Sequence, residues 1–398
     1  MPPDLRAGFS AEYMRRPTSR WRLGQGPGTL AEMGALRKST EQSAITSRAA
    51  ITSRAAITRR GFVGATLAAI ASRLDAAPFV RTSRKSGLEN PILGVGEHRY
   101  ECLHDWLTPP DGLAWGDTHG LAQDQAGRIY VAHTVHPSSS GSQAVVVYDE
   151  DGRFLSAWGD AFRGGAHGLD VRRESDGEFL YHCDTSRRLV VKTDLSGEVA
   201  WQAGWPQESG KYEAPERYCP TNVAFLPGGD LLVGDGYGSS YIHRYTADGA
   251  YVRTIIGPGA DKGQVSCPHG LWIDERSGSP RLIVADRGNR RIQVFTLEGE
   301  HVGFVTDGVR LPCHFKVRGD TLLAPDLESV VTLLDGDNKV IVHLGDGHPS
   351  GLRGQPRANF MPGKFIHPHT AIFLHGGDIL VAEWVPIGRI TRLRRLGA

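Results

Sequence analysis

The sequence predicts an all-β fold, a six-bladed β-propeller built from four-stranded antiparallel blades. The 398 residues include 50 glycines and 23 prolines, a turn-rich composition, and the body of the chain shows no sustained helical period. One sequence template also recurs six times, at intervals of 45 to 55 residues, which is typical of a propeller blade. The aligned residues of the six copies are His119, His167, Thr221, His269, His314 and His369.

Each copy of the template reads as consecutive strands. In the fourth copy, the apolar segment 271–273 is followed by an Asp/Gly turn, the β-branched run 282–284 and a third strand at 292–295. Four similar motifs, DEDG, DLSG, TADG and TLEG, separate the third and fourth strands of blades one to four. Their glycines supply the positive φ that a hairpin turn needs.

The last blade is predicted to be completed by the beginning of the body. After His369 the chain has room for three strands only, so this blade lacks its fourth. Residues 98–107, HRYECLHDWL, are expected to supply it. Pairing the first strand with the last blade closes the ring and covers its open sheet edges. The predicted propeller therefore spans residues 92–398.

The charge pattern separates an N-terminal segment from this body. Residues 1–90 hold 15 of the 45 basic residues but 6 of the 44 acidic ones, so the body is mildly acidic. An acidic body argues against nucleic acid as a partner, and the chain has no apolar run long enough to span a membrane. Residues 1–56 contain a short tandem repeat, AITSRA, and are predicted to be a disordered extension.

Residues 57–77 resemble a twin-arginine export signal. Arg59 and Arg60 precede Phe62 and a short, weakly apolar run that ends in small residues. We expect cleavage near Ala71 and export to the periplasm or the extracellular space, with residues 78–91 as a linker. The alternative is a chance pair of arginines ahead of a helix.

The cysteine pattern does not indicate a disulfide framework or a zinc ribbon. The number of cysteines is odd and no CxxC pair occurs. We expect the thiols to be buried as small apolar side chains. The five residues are Cys102, Cys183, Cys219, Cys267 and Cys313.

The repeat resembles the NHL class of six-bladed propellers, and VADRGNRRIQVF at 284–295 is its clearest copy. Within that class, the histidines of alternate blades, GDGYGSSYI in blade three and ADRGNRRIQ in blade four resemble the peptidyl-α-hydroxyglycine α-amidating lyase family. The resemblance covers residues 92–398. It implies a zinc-dependent lyase that cleaves a carbinolamide, in a small molecule or a peptide, to a primary amide and a glyoxylate-type product.

Five of the six aligned template residues are histidines, which predicts a metal site. The innermost strand of each blade lines the central channel, so equivalent side chains converge on its axis. A catalytic zinc takes three protein ligands and keeps an open position, and alternate blades of a six-membered ring lie about 120° apart. His167, His269 and His369 form such a set, and the resemblance implies the same three ligands. The alternative is that these histidines bond inner-strand backbone and fill a polar channel.

The template residues of the odd blades form a second group of candidates. They could bind substrate, water or a second ion. This group consists of His119, Thr221 and His314.

Tyr237 and Arg287 follow corresponding second strands, so we expect both at one mouth of the channel. The resemblance implies that Tyr237 is the catalytic base and that Arg287 lies beside the metal. A phenol is a weak base alone, but a nearby Zn²⁺ and a guanidinium favour its ionised form. Tyr237 would take the proton of the substrate hydroxyl, and Arg287 would stabilise the developing negative charge. The alternatives are a tyrosine packed on the rim and an arginine of the common repeat.

The sequence departs from the family pattern at four positions. Thr134 stands where the family has a second arginine, which binds the substrate carboxylate. His367, a further channel candidate, replaces a methionine two residues before the third zinc ligand. Thr370 replaces an acidic residue that helps to hold a structural calcium. Gly238 stands where the resemblance implies a disulfide partner beside the tyrosine.

Residues 345–369 lengthen the connection from blade five to blade six. We expect this insertion to cover the channel, with Arg353, Arg357 or Lys364 binding the substrate carboxylate; solvated loop charges are the alternative.

Two other functions remain open at this stage. A non-catalytic propeller that binds a peptide, glycan or protein partner would hold no metal. A lactonase-type propeller hydrolase is disfavoured, because the aligned inner residues include no acidic ligand.

Overall fold

The structure is a computed structural model that describes residues 90–397. The predicted extension 1–56, the export signal 57–77 and nearly all of the linker 78–91 lie outside the described residues. Within the part that is described, no helix is long and apolar enough to cross a membrane.

Six sheets form six blades, which confirms the predicted fold class. Two short strands precede blade one: β1 (Ile92–Leu93) and β2 (Tyr100–Leu103). Blade one contains β3 (Thr118–Gln123), β4 (Ile129–His133), β5 (Val145–Tyr148) and β6 (Phe154–Trp158). Blade two contains β7 (Ala166–Glu174), β8 (Gly177–Asp184), β9 (Leu189–Asp194) and β10 (Val199–Ala203). Blade three contains β11 (Asn222–Phe225), β12 (Leu231–Gly234), β13 (Ile242–Tyr245), β14 (Tyr251–Pro258) and β15 (Gln264–Val265).

The second half of the ring repeats the same antiparallel order. Blade four contains β16 (Pro268–Asp274), β17 (Arg281–Asp286), β18 (Arg291–Phe295) and β19 (His301–Val305). Blade five contains β20 (Lys316–Arg318), β21 (Thr321–Asp326), β22 (Val330–Leu334) and β23 (Val340–Gly345). Blade six contains β24 (Pro368–Phe373), β25 (Ile379–Glu383) and β26 (Arg389–Arg395).

The N-terminal strand closes the ring as predicted. Strand β2 pairs with β26 in antiparallel register, with Tyr100 opposite Arg395 and Leu103 opposite Arg392. Strand β1 adds a fifth strand outside β2, and β15 adds a fifth, parallel strand to blade three. Neither extra strand was predicted, because segments of two residues carry no recognisable period.

The turns between the third and fourth strands have the predicted backbone conformation. Their glycines have φ values of +85° to +97° in blades one to four, a region that favours glycine. These residues are Gly152, Gly197, Gly249 and Gly299.

The apolar core is divided among the interfaces between neighbouring blades. The described residues form six buried clusters, and each joins side chains of two adjacent blades. Between blades six and one, for example, Leu121 and Val131 pack with Leu380 and Ile390. Because apolar side chains fill these interfaces, the polar template residues at the start of each blade are left at the centre of the ring.

Candidate metal centre and active site

Four histidines from different blades converge at the centre of the ring. They lie on the first strands of blades one, two, four and six, and all four are buried. Five pairs of their rings have centroids 4.6 to 4.9 Å apart. The four are His119, His167, His269 and His369. The structure therefore brings the three predicted ligands together and adds His119, which the sequence analysis assigned to the second group.

Backbone carbonyls of the next blade orient the three predicted ligands. His167 Nδ1 lies 3.0 Å from the Thr221 carbonyl oxygen, and His269 Nδ1 lies 2.9 Å from that of Cys313. His369 Nδ1 makes the same contact with the carbonyl oxygen of His119 at 3.1 Å. A carbonyl oxygen only accepts hydrogen bonds, so each Nδ1 must carry the proton. Each neutral ring then has its lone pair on Nε2, the arrangement found in metal-binding histidines.

The glycine after two of these histidines allows that contact. A Cβ atom on Gly168 would lie 2.3 Å from the Thr221 carbonyl oxygen, and one on Gly270 would lie 2.2 Å from that of Cys313. Only glycine lets the neighbouring backbone approach so closely. The sequence analysis missed these residues, although the repeated His-Gly pairs of blades one, two and four were a visible signal.

Ring nitrogens of the cluster lie close enough together to bind one metal ion. One ring nitrogen from each of His119, His167 and His369 lies within 4.8 Å of the other two, among the residues that could be searched for such groups. Burial lowers the pKa of His167 to about 3, and it lowers the pKa of the other three histidines well below the usual range. The rings are therefore neutral at physiological pH, and such a set of nitrogens fits a zinc ion.

Tyr237 lies directly beside this cluster, as predicted. Its hydroxyl oxygen is 3.2 Å from His167 Nε2 and 3.1 Å from His269 Nε2. The loop after β12 places it there, because the Asp235 carboxylate accepts hydrogen bonds from the backbone N–H groups of Cys219 and Ser239. Burial raises the pKa of Tyr237 above its usual range, and the charge of Arg287 acts in the opposite direction.

Arg287 lies over the ring of Tyr237. Its guanidinium carbon lies 5.2 Å from the centre of the Tyr237 ring, so the two residues are neighbours. Its Nη2 atom is 3.2 Å from the Cys267 sulfur, and Nη1 is 3.6 Å from the Cys313 sulfur. Cys267 is only partly buried and has a positive φ of 51°, unlike the buried apolar role expected for it.

The other channel candidates take separate positions. Thr221 precedes β11, and its hydroxyl contacts the carbonyl oxygens of Gly234 and Pro268. His314 precedes β20, and its Nε2 atom lies 3.6 Å from Asp170 Oδ2. Burial alone would raise the pKa of Asp170, but Lys316 and His314 hold it at about 2.

His367 and Thr370 lie on either side of the third predicted ligand. His367 Nδ1 donates to the Leu327 carbonyl oxygen at 2.7 Å. Thr370 is buried and, as a neutral residue, supplies no carboxylate for a calcium ion. All five cysteines have free thiols, so no disulfide stands beside Tyr237.

Comparisons with known proteins agree with this fold at low sequence identity. The chain is 25% identical over 207 residues to human NHL repeat-containing protein 3 and 23% identical over 236 residues to a probable peptidyl-α-hydroxyglycine α-amidating lyase of Caenorhabditis elegans. These matches cover 50% and 56% of this chain and 57% and 62% of the two relatives. Peptidyl-α-hydroxyglycine α-amidating lyase 1 of Drosophila melanogaster is 22% identical over 326 residues, which cover 70% of this chain and 57% of the relative.

The matches thus span less than two thirds of the length of these curated relatives. No protein-family model matches the chain. Among solved structures, a streptogramin B lyase aligns with a TM-score of 0.50 at 13% identity, over 74% of this chain and 97% of that one. This last similarity concerns the fold alone. Together, the comparisons relate the chain at low identity to NHL-repeat proteins and to amidating lyases.

Proposed function

We propose that this propeller is a zinc-dependent carbon–nitrogen lyase that cleaves a carbinolamide of the α-hydroxyglycine type. One observation carries the proposal: the Nε2 atoms of His167 and His269 lie 3.2 Å and 3.1 Å from the hydroxyl of Tyr237. A set of metal-binding nitrogens and a group able to accept a proton thus meet at one point. The low-identity similarity to two amidating lyases supports this chemistry.

The protein side of the metal site is preorganised. His167, His269 and His369 each donate an Nδ1–H group to a backbone carbonyl, which leaves Nε2 available to bind zinc. A bound zinc ion would supply Lewis-acid chemistry that lowers the pKa of a substrate hydroxyl. His119 is the alternative to His269 as the third ligand, because its ring lies 4.6 Å from those of both His167 and His369.

Tyr237 and Arg287 would perform the proton transfer and the charge stabilisation. Tyr237, as its phenolate, accepts the proton of the substrate hydroxyl, and the carbon–nitrogen bond breaks as the carbonyl forms. Tyr237 then returns that proton to the departing nitrogen, which leaves as a primary amide. The other product is a glyoxylate-type aldehyde. Arg287 remains protonated, and its contact with the Tyr237 ring favours the phenolate that accepts the proton.

The first experiment measures metal content and activity together. Residues 72–398 are purified without added metal, and metals are measured by mass spectrometry beside glyoxylate release from an N-acyl-α-hydroxyglycine. We expect about one zinc per chain, as three histidine ligands imply. The double variant His167→Ala/His269→Ala should lose both the zinc and the activity while its circular dichroism is unchanged.

The exposed His375 provides a matched control. His375→Ala removes a histidine outside the site, so this variant should keep both zinc and activity. Absence of metal from the wild type, or metal that persists in the double variant, would contradict the proposal and favour a non-catalytic propeller that binds a peptide, glycan or protein. The same spectrum reports calcium, which the family holds with an acidic residue at the position of Thr370 in this chain.

A further inference from the structure

The insertion between blades five and six sends one arginine to the channel mouth. Arg353 lies over the Trp384 ring, with its guanidinium carbon 3.8 Å from the ring centre. Trp384 directly follows Glu383, the last residue of β25, as Arg287 directly follows Asp286, the last residue of β17. Arg353 therefore reaches the same mouth of the channel as Arg287 and Tyr237.

The guanidinium of Arg353 also reaches blade one. Its Nη2 atom donates to Asp117 Oδ1 at 3.0 Å, and the backbone N–H of Asp117 donates to Thr134 Oγ1 at 2.9 Å. Thr134 is the blade-one residue at which the family pattern has an arginine and this chain has none. Asp117 thus links Arg353 to Thr134, the position where the family has its arginine.

The contacts of Arg353 differ from those of the other two cations of the insertion. Arg357 donates to the carbonyl oxygens of Ile387 and Gly388 at 2.8 and 2.7 Å, and Lys364 is paired with Asp346. Arg357 anchors the insertion to the connection between β25 and β26 and to Asp105, whereas Lys364 binds within the insertion. In contrast, the Nε atom of Arg353 is buried and has no hydrogen-bond partner in the described part of the chain.

The positive charge of Arg353 also acts on the histidine cluster. Burial is the main cause that lowers the pKa of His119, and the charges of Arg353 and Arg287 lower it further. Two guanidinium groups therefore act on the same ring. Asp117 pairs with Arg353 and offsets one of the two positive charges, which leaves a net positive charge beside neutral histidines. Such a site favours a ligand with a negative charge close to the reacting atoms.

We propose that Arg353 binds the carboxylate of the substrate and replaces, from the blade five to six connection, the arginine that blade one lacks. Stacking on Trp384 and the pair with Asp117 hold the guanidinium in place before the substrate arrives, which limits the entropy lost on binding. The Arg353 side chain is 32% exposed, and the N–H groups that Asp117 does not bind supply donors for a carboxylate oxygen. The identity of the substrate rests on the proposed function, whereas the preference for a carboxylate does not.

Ligand binding tests the proposal without catalysis. N-Acetylglycine and N-acetylglycinamide have nearly the same shape but differ in charge, and calorimetry gives their affinities for the wild type and for Arg353→Gln. We expect the wild type to prefer the carboxylate, and Arg353→Gln to weaken carboxylate binding by about 10- to 100-fold, as expected for a hydrogen bond to a charged group. Affinity for the amide should change little, and Arg353→Lys should recover part of the preference.

Arg357→Gln is the matched control for loop anchoring, because it removes a charge that holds the same insertion. It should leave the ratio of the two affinities unchanged. A ratio that is unchanged in Arg353→Gln, or a wild type that binds both ligands equally, would overturn the proposal. If the ratio falls in Arg353→Gln but the wild type releases no glyoxylate from an α-hydroxyglycine, the carboxylate site stands and the proposed lyase function fails.

Discussion

The proton positions of a few side chains decide what this site can do. In three histidines, Nδ1 carries the proton and donates it to a backbone carbonyl, so the lone pair lies on Nε2; these are His167, His269 and His369. Tyr237 has a single hydroxyl proton but lies within 3.2 Å of two such atoms. The hydroxyl can donate a hydrogen bond to only one of these two Nε2 atoms at a time. A cation is the natural partner for the lone pair of the other.

At this scale we predict the effect of Tyr237→Phe. The substitution removes the proposed proton acceptor but keeps the ring that contacts Arg287. We expect kcat to fall by about 100-fold or more, the usual contribution of a general base, while KM and zinc content change little. Steady-state kinetics and metal analysis measure these quantities.

Tyr241→Phe is the control, because that ring packs on Tyr212 and His243, 5.7 and 5.9 Å between centroids, and not on the four histidines of the cluster. It should behave as the wild type. An unchanged kcat in Tyr237→Phe would show that another group accepts the proton.

Contacts between the first strands of neighbouring blades determine how the histidine side chains are oriented. The template residue of one blade bonds to the backbone of the next, so the position of a ligand depends on the spacing of the strands. In blade four this spacing requires Gly270, because a Cβ atom would lie 2.2 Å from the Cys313 carbonyl oxygen that orients His269. A glycine in a strand, which normally weakens it, here permits a close approach.

Gly270→Ala should therefore damage both stability and the metal site. The methyl group must push two packed strands apart, so we expect a loss of about 1–3 kcal/mol in the free energy of unfolding. The zinc affinity should also fall, since the displaced carbonyl no longer orients His269. Urea denaturation and competition with a chelator measure the two effects.

Gly303→Ala tests whether the effect is specific to the site. Gly303 also lies in a strand, β19, but nothing lies within 4 Å of the position of its Cβ, so we expect a change within about 0.5 kcal/mol and normal zinc binding. Equal effects of the two substitutions would contradict the close-approach argument.

The ring as a whole depends on a strand that is distant in sequence. Strand β2 covers the edge of β26, and residues near it complete the apolar cluster between blades five and six. Among them, Leu93, Tyr100 and Cys102 are almost fully buried. Because His369 belongs to the same blade, we expect closure to support the proposed metal site as well.

Removing this strand should open the ring. We compare a chain of residues 90–398 with one of residues 108–398. The deleted segment carries four buried apolar side chains, the three named above and Leu107, and at about 1.5–3 kcal/mol each they predict a loss of about 6 kcal/mol or more. The exposed edge predicts association. Calorimetry and light scattering measure these outcomes. Adding a peptide of residues 90–107 should restore part of the stability, and an unchanged melting temperature in the short chain would contradict the role assigned to closure.

Several features were predictable because they depend on local patterns. The repeated template predicted six blades, glycine turns and a closing first strand, and all three are present in the structure. Tyr237 and Arg287 follow the second strands of blades three and four, which predicted that they lie near each other, and they are neighbours in the structure. Periodicity within a blade is a property of neighbouring residues, so it can be read directly from the chain.

Other features depend on contacts between blades, which the repeat does not encode. His119 joins the cluster because its Nδ1 atom lies 3.3 Å from His369 Nε2, across 250 residues of chain. Likewise, Arg353 reaches Asp117, 236 residues away.

The sequence by itself determined the fold class, the number of blades and which side chains repeat around the axis, because each follows from spacing along the chain. Only the tertiary structure decided which nitrogen of each ring faces the centre and which arginine reaches the mouth, because both depend on how closely neighbouring blades approach when the ring closes.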